Sequence, residues 1–338
     1  MDTEDNKTVH NRDKSIDCLK FSLIILVIFG HCLEKFGLHK RPIIEHIYQF
    51  IYLFHMPIFV YLSGYFMNKM KPVRSFFTSL LQIFETYIFF QLLSYILSCI
   101  NGIQNPLMIL NPAWAMWYLP SLIFWRLTIY ILPRNIDKHK YLVFLTSIIA
   151  SVACGFVNYK EFAFQRFFTF FPFFIIGYYS RHYYVLNKIK EIPVMFSFIT
   201  IIFSFFLLFS CDVKTSVILY QSNSYFTQPI SVEFGVLYRL IWYAVTILIS
   251  IMMLPILHKI NNRKLEYYGK FTLLFYVCHL LFLSILFKIY SYMGVRCYSL
   301  LSILSFVIIV MLLCLISKSK YCKYITNPFS TIYRNRRN

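Results

Sequence analysis

Charge is scarce in this chain. Only 14% of its residues are charged, and 14 Asp and Glu face 33 Lys and Arg. A soluble domain carries about a quarter charged residues, so a water-soluble globular fold is excluded. Glycine is scarce too, nine in 338 residues, which leaves little material for small-residue helix seams such as GxxxG. None of the nine cysteines forms a Cys-x-x-Cys, so neither a zinc ribbon nor a redox dithiol is signalled. Most of them lie in or beside apolar runs and read as small buried hydrophobes. There is no Gly-rich phosphate loop, no G-x-S-x-G elbow, no H-E-x-x-H and no D-x-D; no bound metal is expected. No A-x-A-like cleavage site follows the first apolar run, so that run reads as a retained helix. No internal repeat is visible, which counts against an inverted-repeat transporter.

What is abundant is apolar: 59% of the residues are hydrophobic, with 37 Phe and 27 Tyr. Such a chain is an integral membrane protein. Ten apolar runs are bounded by polar clusters, at 19–33, 47–67, 76–100, 116–132, 141–157, 162–179, 194–209, 236–257, 271–287 and 298–316. The sixth is interrupted by Arg166 and by Pro172, which should kink it. Backbone groups in lipid must bond one another, so the runs are helices; the period-two alternation of a membrane β-barrel is absent. The expected fold is all-α and polytopic, with about ten transmembrane helices in one membrane domain spanning 1–338. Residues 1–15 form a cytoplasmic N-terminal segment and 317–338 a basic cytoplasmic tail.

The net charge of +19 sits between apolar runs and reads as topology, not as a nucleic-acid surface. With the N-terminus cytoplasmic, the predicted inner segments hold more than twice as many Lys and Arg as the outer ones. That bias predicts both termini inside and an even number of crossings. The expected location is the plasma membrane, the inner membrane of a bacterium. The longest segment between runs, 211–235, falls outside and reads equally well as a lid or an ordinary loop.

The first run, "DCLKFSLIILVIFGHCLEKF", holds four ionisable residues. Eleven residues separate Lys20 from His31, about 20° past three full helical turns and ~16 Å along the axis. Asp17 shares that face and can pair with Lys20 at i,i+3. Glu34 lies about one turn beyond His31. Ionisable groups in a membrane helix are costly, so a stripe of them faces the protein interior. The bland alternative is that Asp17 and Lys20 snorkel at the interface and His31 is a satisfied core histidine. His55, Gln82, Glu85, Gln91, Arg126, Arg166 and His279 are further polar groups within the runs. Lys71 and Arg74, with Lys69, open the third run on the inner side, either as topological anchors or as a landing site for a phosphate.

These segments together resemble the membrane-bound acyltransferase-3 family, in the branch of fucose 4-O-acetylase-like and polysaccharide O-acetyltransferases. "SIDCLKFSLIILVIFGH" is similar to the family's first-helix signature, with Asp17, Lys20 and His31 in register. "FHMPIFVYLSGYFMNK", "KPVRSFFTSLL", "MWYLPSLIFWRL", "RFFTFFPFFIIGYY" and "YYGKFTLLFYVCHLLF" resemble later family segments, in family order. Lys20 stands where Arg is commoner, and Thr272 where Ser is usual.

The resemblance implies ten helices and transfer of an acyl group to a carbohydrate hydroxyl, with acetyl-CoA as donor substrate and no bound cofactor. Acyl transfer to a hydroxyl needs a base for its proton, and imidazole titrates near neutrality. His31 is then the general base, with Glu34 orienting it. Lys20 contacts the donor, with Asp17 fixing Lys20, and Lys71 and Arg74 hold the CoA phosphates. Trp117, Tyr118 and His279 border the acceptor, a cell-surface or lipid-linked glycan. Oligomeric state is left open. The rival reading is a transporter or flippase for a glycan or small anion, with His31 as a proton relay.

Overall fold

The computed structural model describes residues 14–69, 71–100, 110–133, 138–159, 161–210, 220–228, 231–260, 262–295 and 297–326. Most of the predicted N-terminal segment, 211–219 and 229–230 of the long predicted outer loop, and residues 327–338 of the basic tail lie outside them. Among the described residues all regular secondary structure is helical, with no strand. The helices are α1 (Lys14–Lys35), α2 (Pro42–Tyr65), α3 (Val73–Ile100), α4 (Tyr118–Ile131), α5 (Lys140–Cys154), α6 (Phe164–His182), α7 (Val185–Lys190), α8 (Val194–Ser210), α9 (Val232–Lys259), α10 (Arg263–Gly269), α11 (Thr272–Tyr292), α12 (Tyr298–Ser317) and α13 (Cys322–Thr326).

Each of the ten apolar runs coincides with one of these helices. Six of them, α1, α2, α3, α9, α11 and α12, are long and apolar enough to cross a membrane. Residues Lys140–Cys154 and Val194–Leu207 form shorter apolar helices. Outward faces carry exposed apolar side chains, among them Phe77, Leu81 and Phe84 on α3 and Ile303, Val307 and Met311 on α12. Water would penalise such faces, whereas hydrocarbon does not. The chain is built for a membrane.

Local sequence sets the helix ends. Pro42 opens α2 at its first turn, where a missing N–H costs nothing. The Asn262 side chain accepts the Lys264 N–H at 2.8 Å and caps α10.

The end of the bundle where α1 begins is the proximal end, and the opposite one the distal end. α1 lies at the centre, packed against α2, α9, α10, α11 and α12. Its buried positions include Asp17, Leu23, Val27 and Cys32.

The most extensively packed helix pair is α2 with α6. A Cβ on Gly64 would run into the Phe174 carbonyl, and one on Gly177 into the Tyr61 carbonyl. The two backbones therefore touch at a reciprocal pair of glycines, although the chain has few. Ser180 Oγ donates to the Tyr61 hydroxyl at 2.8 Å beside this contact. We predict that Gly177→Val destabilises the fold by about 1–3 kcal/mol, the usual cost of overpacking. A lower melting temperature of the purified protein in detergent would show it; an unchanged one would mean the helices have room to part.

Candidate active site

A chamber of about 350 Å³ lies in the distal half of the bundle. α1 contributes Val27, His31 and Glu34 to its wall, α2 contributes Tyr52, His55 and Met56, and α6 contributes Arg166 and Phe170. Tyr276 of α11 and Tyr220 of the long loop close it, with Pro112, Ala115 and Trp117 from the chain entering α4.

Within it, His31 Nδ1 lies 3.2 Å from Glu34 Oε2, one turn along α1. An ionised carboxylate only accepts, so Nδ1 carries the proton and donates. Nε2 is left as the basic nitrogen of the ring, the arrangement a general base requires. The His279 ring stands 5.3 Å from that of His31. His279 is fully buried and donates from Nδ1 to the Phe275 carbonyl at 3.0 Å. Its Nε2 has no partner among the described residues. His55 likewise donates from Nδ1, to the Ile51 carbonyl at 2.6 Å. Two carbonyls and one carboxylate thus fix the tautomers of three neighbouring imidazoles. Among the described residues, no group of three His, Cys, Asp or Glu has a metal-binding arrangement.

The aromatic wall is tied down. Trp117 packs on Phe170 with centroids 5.1 Å apart, and the Arg166 guanidinium lies 5.2 Å from the Trp117 ring. Arg166 Nε donates to the Tyr220 carbonyl at 3.1 Å, and the Tyr220 and Tyr48 hydroxyls share a hydrogen bond. Burial pushes the Tyr220 phenol up to about 12, so it enters that pair protonated at neutral pH. The same loop is anchored farther along by Tyr225. Its ring occupies the space a Cβ on Gly155 would need, and its N–H donates to the Gly155 carbonyl at 2.8 Å. Of the described part of the loop, Tyr220 is a wall of the chamber.

The turn leading into α4 is clamped in a similar way. Gln91 of α3 donates to the Asn111 carbonyl at 2.7 Å and accepts the Ala113 N–H at 2.9 Å, while the Tyr276 hydroxyl donates to the Ala115 carbonyl. A turn at this depth must satisfy its backbone groups within the protein, which accounts for a glutamine inside an apolar run.

A second cavity, about 410 Å³, occupies the proximal half. Lys20, Arg126 and Lys270 line it; among the described residues no carboxylate does, although Lys270 Nζ lies 3.6 Å from Glu266 Oε1, outside the lining. Lys20 Nζ lies 3.8 Å from Asp17 Oδ1 and 4.3 Å from the centroid of the Phe66 ring. Arg126 donates to Ser79 Oγ at 3.1 Å. Tyr118 faces this cavity, its hydroxyl bonded to Ser63 Oγ at 2.5 Å. The two cavities share Val27, Met56 and Tyr276, so they meet at those three side chains.

Of the residues singled out in the sequence, His31, Glu34 and Trp117 line the distal chamber, and His279 stacks behind it. Lys20 and Tyr118 line the proximal cavity, and buried Asp17 pairs with Lys20 from outside it. Lys71 and Arg74 line neither; Arg74 is exposed at the start of α3. Sequence reasoning assigned no role to Tyr52, Tyr220 or Tyr276, since a tyrosine among 27 carries no signal. His55, Arg126 and Arg166 were visible as polar interruptions of apolar runs, but nothing showed which cavity each would face.

Residues 13–318 match an acyltransferase domain, that of the acyltransferase-3 family. The chain belongs to this family. It is a membrane acyltransferase. No curated protein and no solved structure matches it.

Proposed function

We propose that this acyltransferase moves an acetyl group from acetyl-CoA to a hydroxyl of a cell-surface or lipid-linked carbohydrate, as in the fucose 4-O-acetylase-like branch of its family. The observation that carries the reading is the Glu34-oriented His31 in a chamber that meets a cavity lined by Lys20, Arg126 and Lys270. The donor enters the proximal cavity, where Lys20, Arg126 and Lys270 suit an anionic ligand. Lys71 and Arg74 meet only the part of it that stays in solvent. Its thioester reaches the junction at Val27, Met56 and Tyr276. The acceptor sugar enters the distal chamber, whose aromatic walls suit a pyranose face. As its hydroxyl oxygen attacks the thioester carbonyl, His31 Nε2 takes the hydroxyl proton. The C–O bond forms, the C–S bond breaks, and the CoA thiolate takes the proton back from Nε2.

Six helices of crossing length, together with the shorter α4, α5, α6 and α8, complete ten. The excess of Lys and Arg on the predicted inner segments supports a cytoplasmic proximal end. CoA then stays inside while the acceptor arrives from outside.

The test is purified protein in detergent with acetyl-labelled acetyl-CoA and a panel of glycans. Ester should form on at least one of them. Lys20→Gln should raise KM for acetyl-CoA about tenfold, the loss of one charge-assisted contact, and Lys20→Arg should keep it near the original value. Label that crosses a vesicle membrane only down a gradient, with no ester formed, would establish the transporter instead.

A further inference from the structure

A third cavity, about 390 Å³, opens at the distal end between α3 and α11. Its lining divides by chemistry. Polar side chains comprise Lys35 and Lys288 with the hydroxyls of Ser94, Ser98, Ser284 and Ser291; among the described residues no carboxylate lines it. Ser94 and Ser98 are one turn apart on α3, as are Ser284 and Lys288 on α11, so each helix presents a polar row. The floor is apolar, with Phe90, Leu97, Leu281 and Phe287. Lys35 Nζ lies 4.8 Å from the Phe287 ring centroid, a cation over the aromatic part of the floor. Exposed Ile96 and Ile100 on α3 and Ile285 and Ile289 on α11 belong to the outward faces of the same two helices.

This groove is separated from the His31 chamber by a single layer of chain. Ala113 and Met116 face the groove, while Pro112, Ala115 and Trp117 face the chamber. On α1, Lys35 faces the groove and Glu34 the chamber.

We infer that the groove holds the phosphate of a lipid-linked glycan, with the hydrocarbon chain along the apolar floor and the sugar delivered to the His31 chamber. Two ammonium groups and four hydroxyls match an anion that offers several oxygens. The apolar floor and the isoleucine-bearing outer faces match a long-chain lipid, and a soluble sugar phosphate would need neither. The delivery of the sugar rests on the reading proposed above; the lipid phosphate site does not.

The test is binding of undecaprenyl phosphate to the full-length protein in detergent, measured by native mass spectrometry, with phosphatidylglycerol and glucose 6-phosphate as comparison ligands. Undecaprenyl phosphate should bind more tightly than either. The double variant Lys35→Gln/Lys288→Gln, and Lys288→Gln alone should the pair fold poorly, should weaken it about tenfold. In the same variants the ratio of kcat/KM for a lipid-linked over a soluble glycan acceptor should fall by a similar factor. Binding that ignores both lysines, or phosphatidylglycerol binding as tightly as undecaprenyl phosphate, would overturn the inference. Lysine-dependent binding of undecaprenyl phosphate without ester formation on any acceptor would keep the site and remove the acyltransferase reading.

Discussion

His31→Ala should lower kcat for acyl transfer by about a hundred- to ten-thousand-fold, the range a single general base supplies. That is roughly 3–5 kcal/mol of barrier. The expectation follows from a division of labour. His31 lines the distal chamber, whereas the basic residues that suit the donor line the proximal cavity. Removing the imidazole should therefore act on kcat and leave KM for acetyl-CoA within about threefold. Glu34→Gln separates orientation from proton transfer. Its side-chain oxygen can still accept from Nδ1, but a neutral amide stabilises the imidazolium formed during attack less well than a carboxylate does. The loss should fall between wild type and His31→Ala, again in kcat. Single-turnover transfer in detergent, with melting temperature as the check on folding, distinguishes these cases. Transfer by His31→Ala within threefold of wild type would assign the base elsewhere, and His55, in the same chamber, would be next.

The first helix was the most legible part of the chain. Its ionisable stripe could be read from helical periodicity alone, and the structure keeps the pairs that periodicity gives: Asp17 with Lys20 at 3.8 Å and His31 with Glu34 at 3.2 Å. Both pairs are local, i,i+3, and so depend on nothing but the helix. The six helices of crossing length were legible for a similar reason, since apolar runs of that length have few alternatives. The site walls were not, because they are long-range. Arg166 reaches Tyr220 across 54 residues, Gln91 clamps a turn 20 residues on, and Tyr225 fills the notch at Gly155. Each of those contacts depends on how helices pack, which periodicity does not encode. The basic entry to α3 shows the same limit from the other side. Lys71 and Arg74 read from charge either as topological anchors or as a phosphate site, and charge does not say which face of the bundle a residue reaches; they line neither cavity. Arg126 and Lys270, less conspicuous in the sequence, line the proximal cavity.

Met56→Trp should stop acyl transfer while leaving the donor bound. Val27, Met56 and Tyr276 are the only residues that the His31 chamber and the Lys20 cavity share among their described linings, so a thioester passing from one to the other must pass them. Val27 is buried within α1, and Tyr276 is held by its bond to the Ala115 carbonyl. Met56 is the adaptable member, half-buried and unbranched. An indole there fills the junction, and transfer should fall by about a hundredfold or more, as expected when reacting atoms are kept from near-attack distance. CoA binding by titration calorimetry should stay within about threefold, because no charge in the proximal cavity has changed. Met56→Leu conserves volume and should transfer nearly as wild type. Met56→Ala works in the opposite direction: it opens space where the acyl group must sit, and should raise the rate with propionyl- or butyryl-CoA relative to acetyl-CoA. Transfer by Met56→Trp at the wild-type rate would mean that the donor reaches His31 by another route. Loss of CoA binding in that variant would mean instead that Met56 belongs to the donor site, with the junction lying deeper, between Val27 and Tyr276.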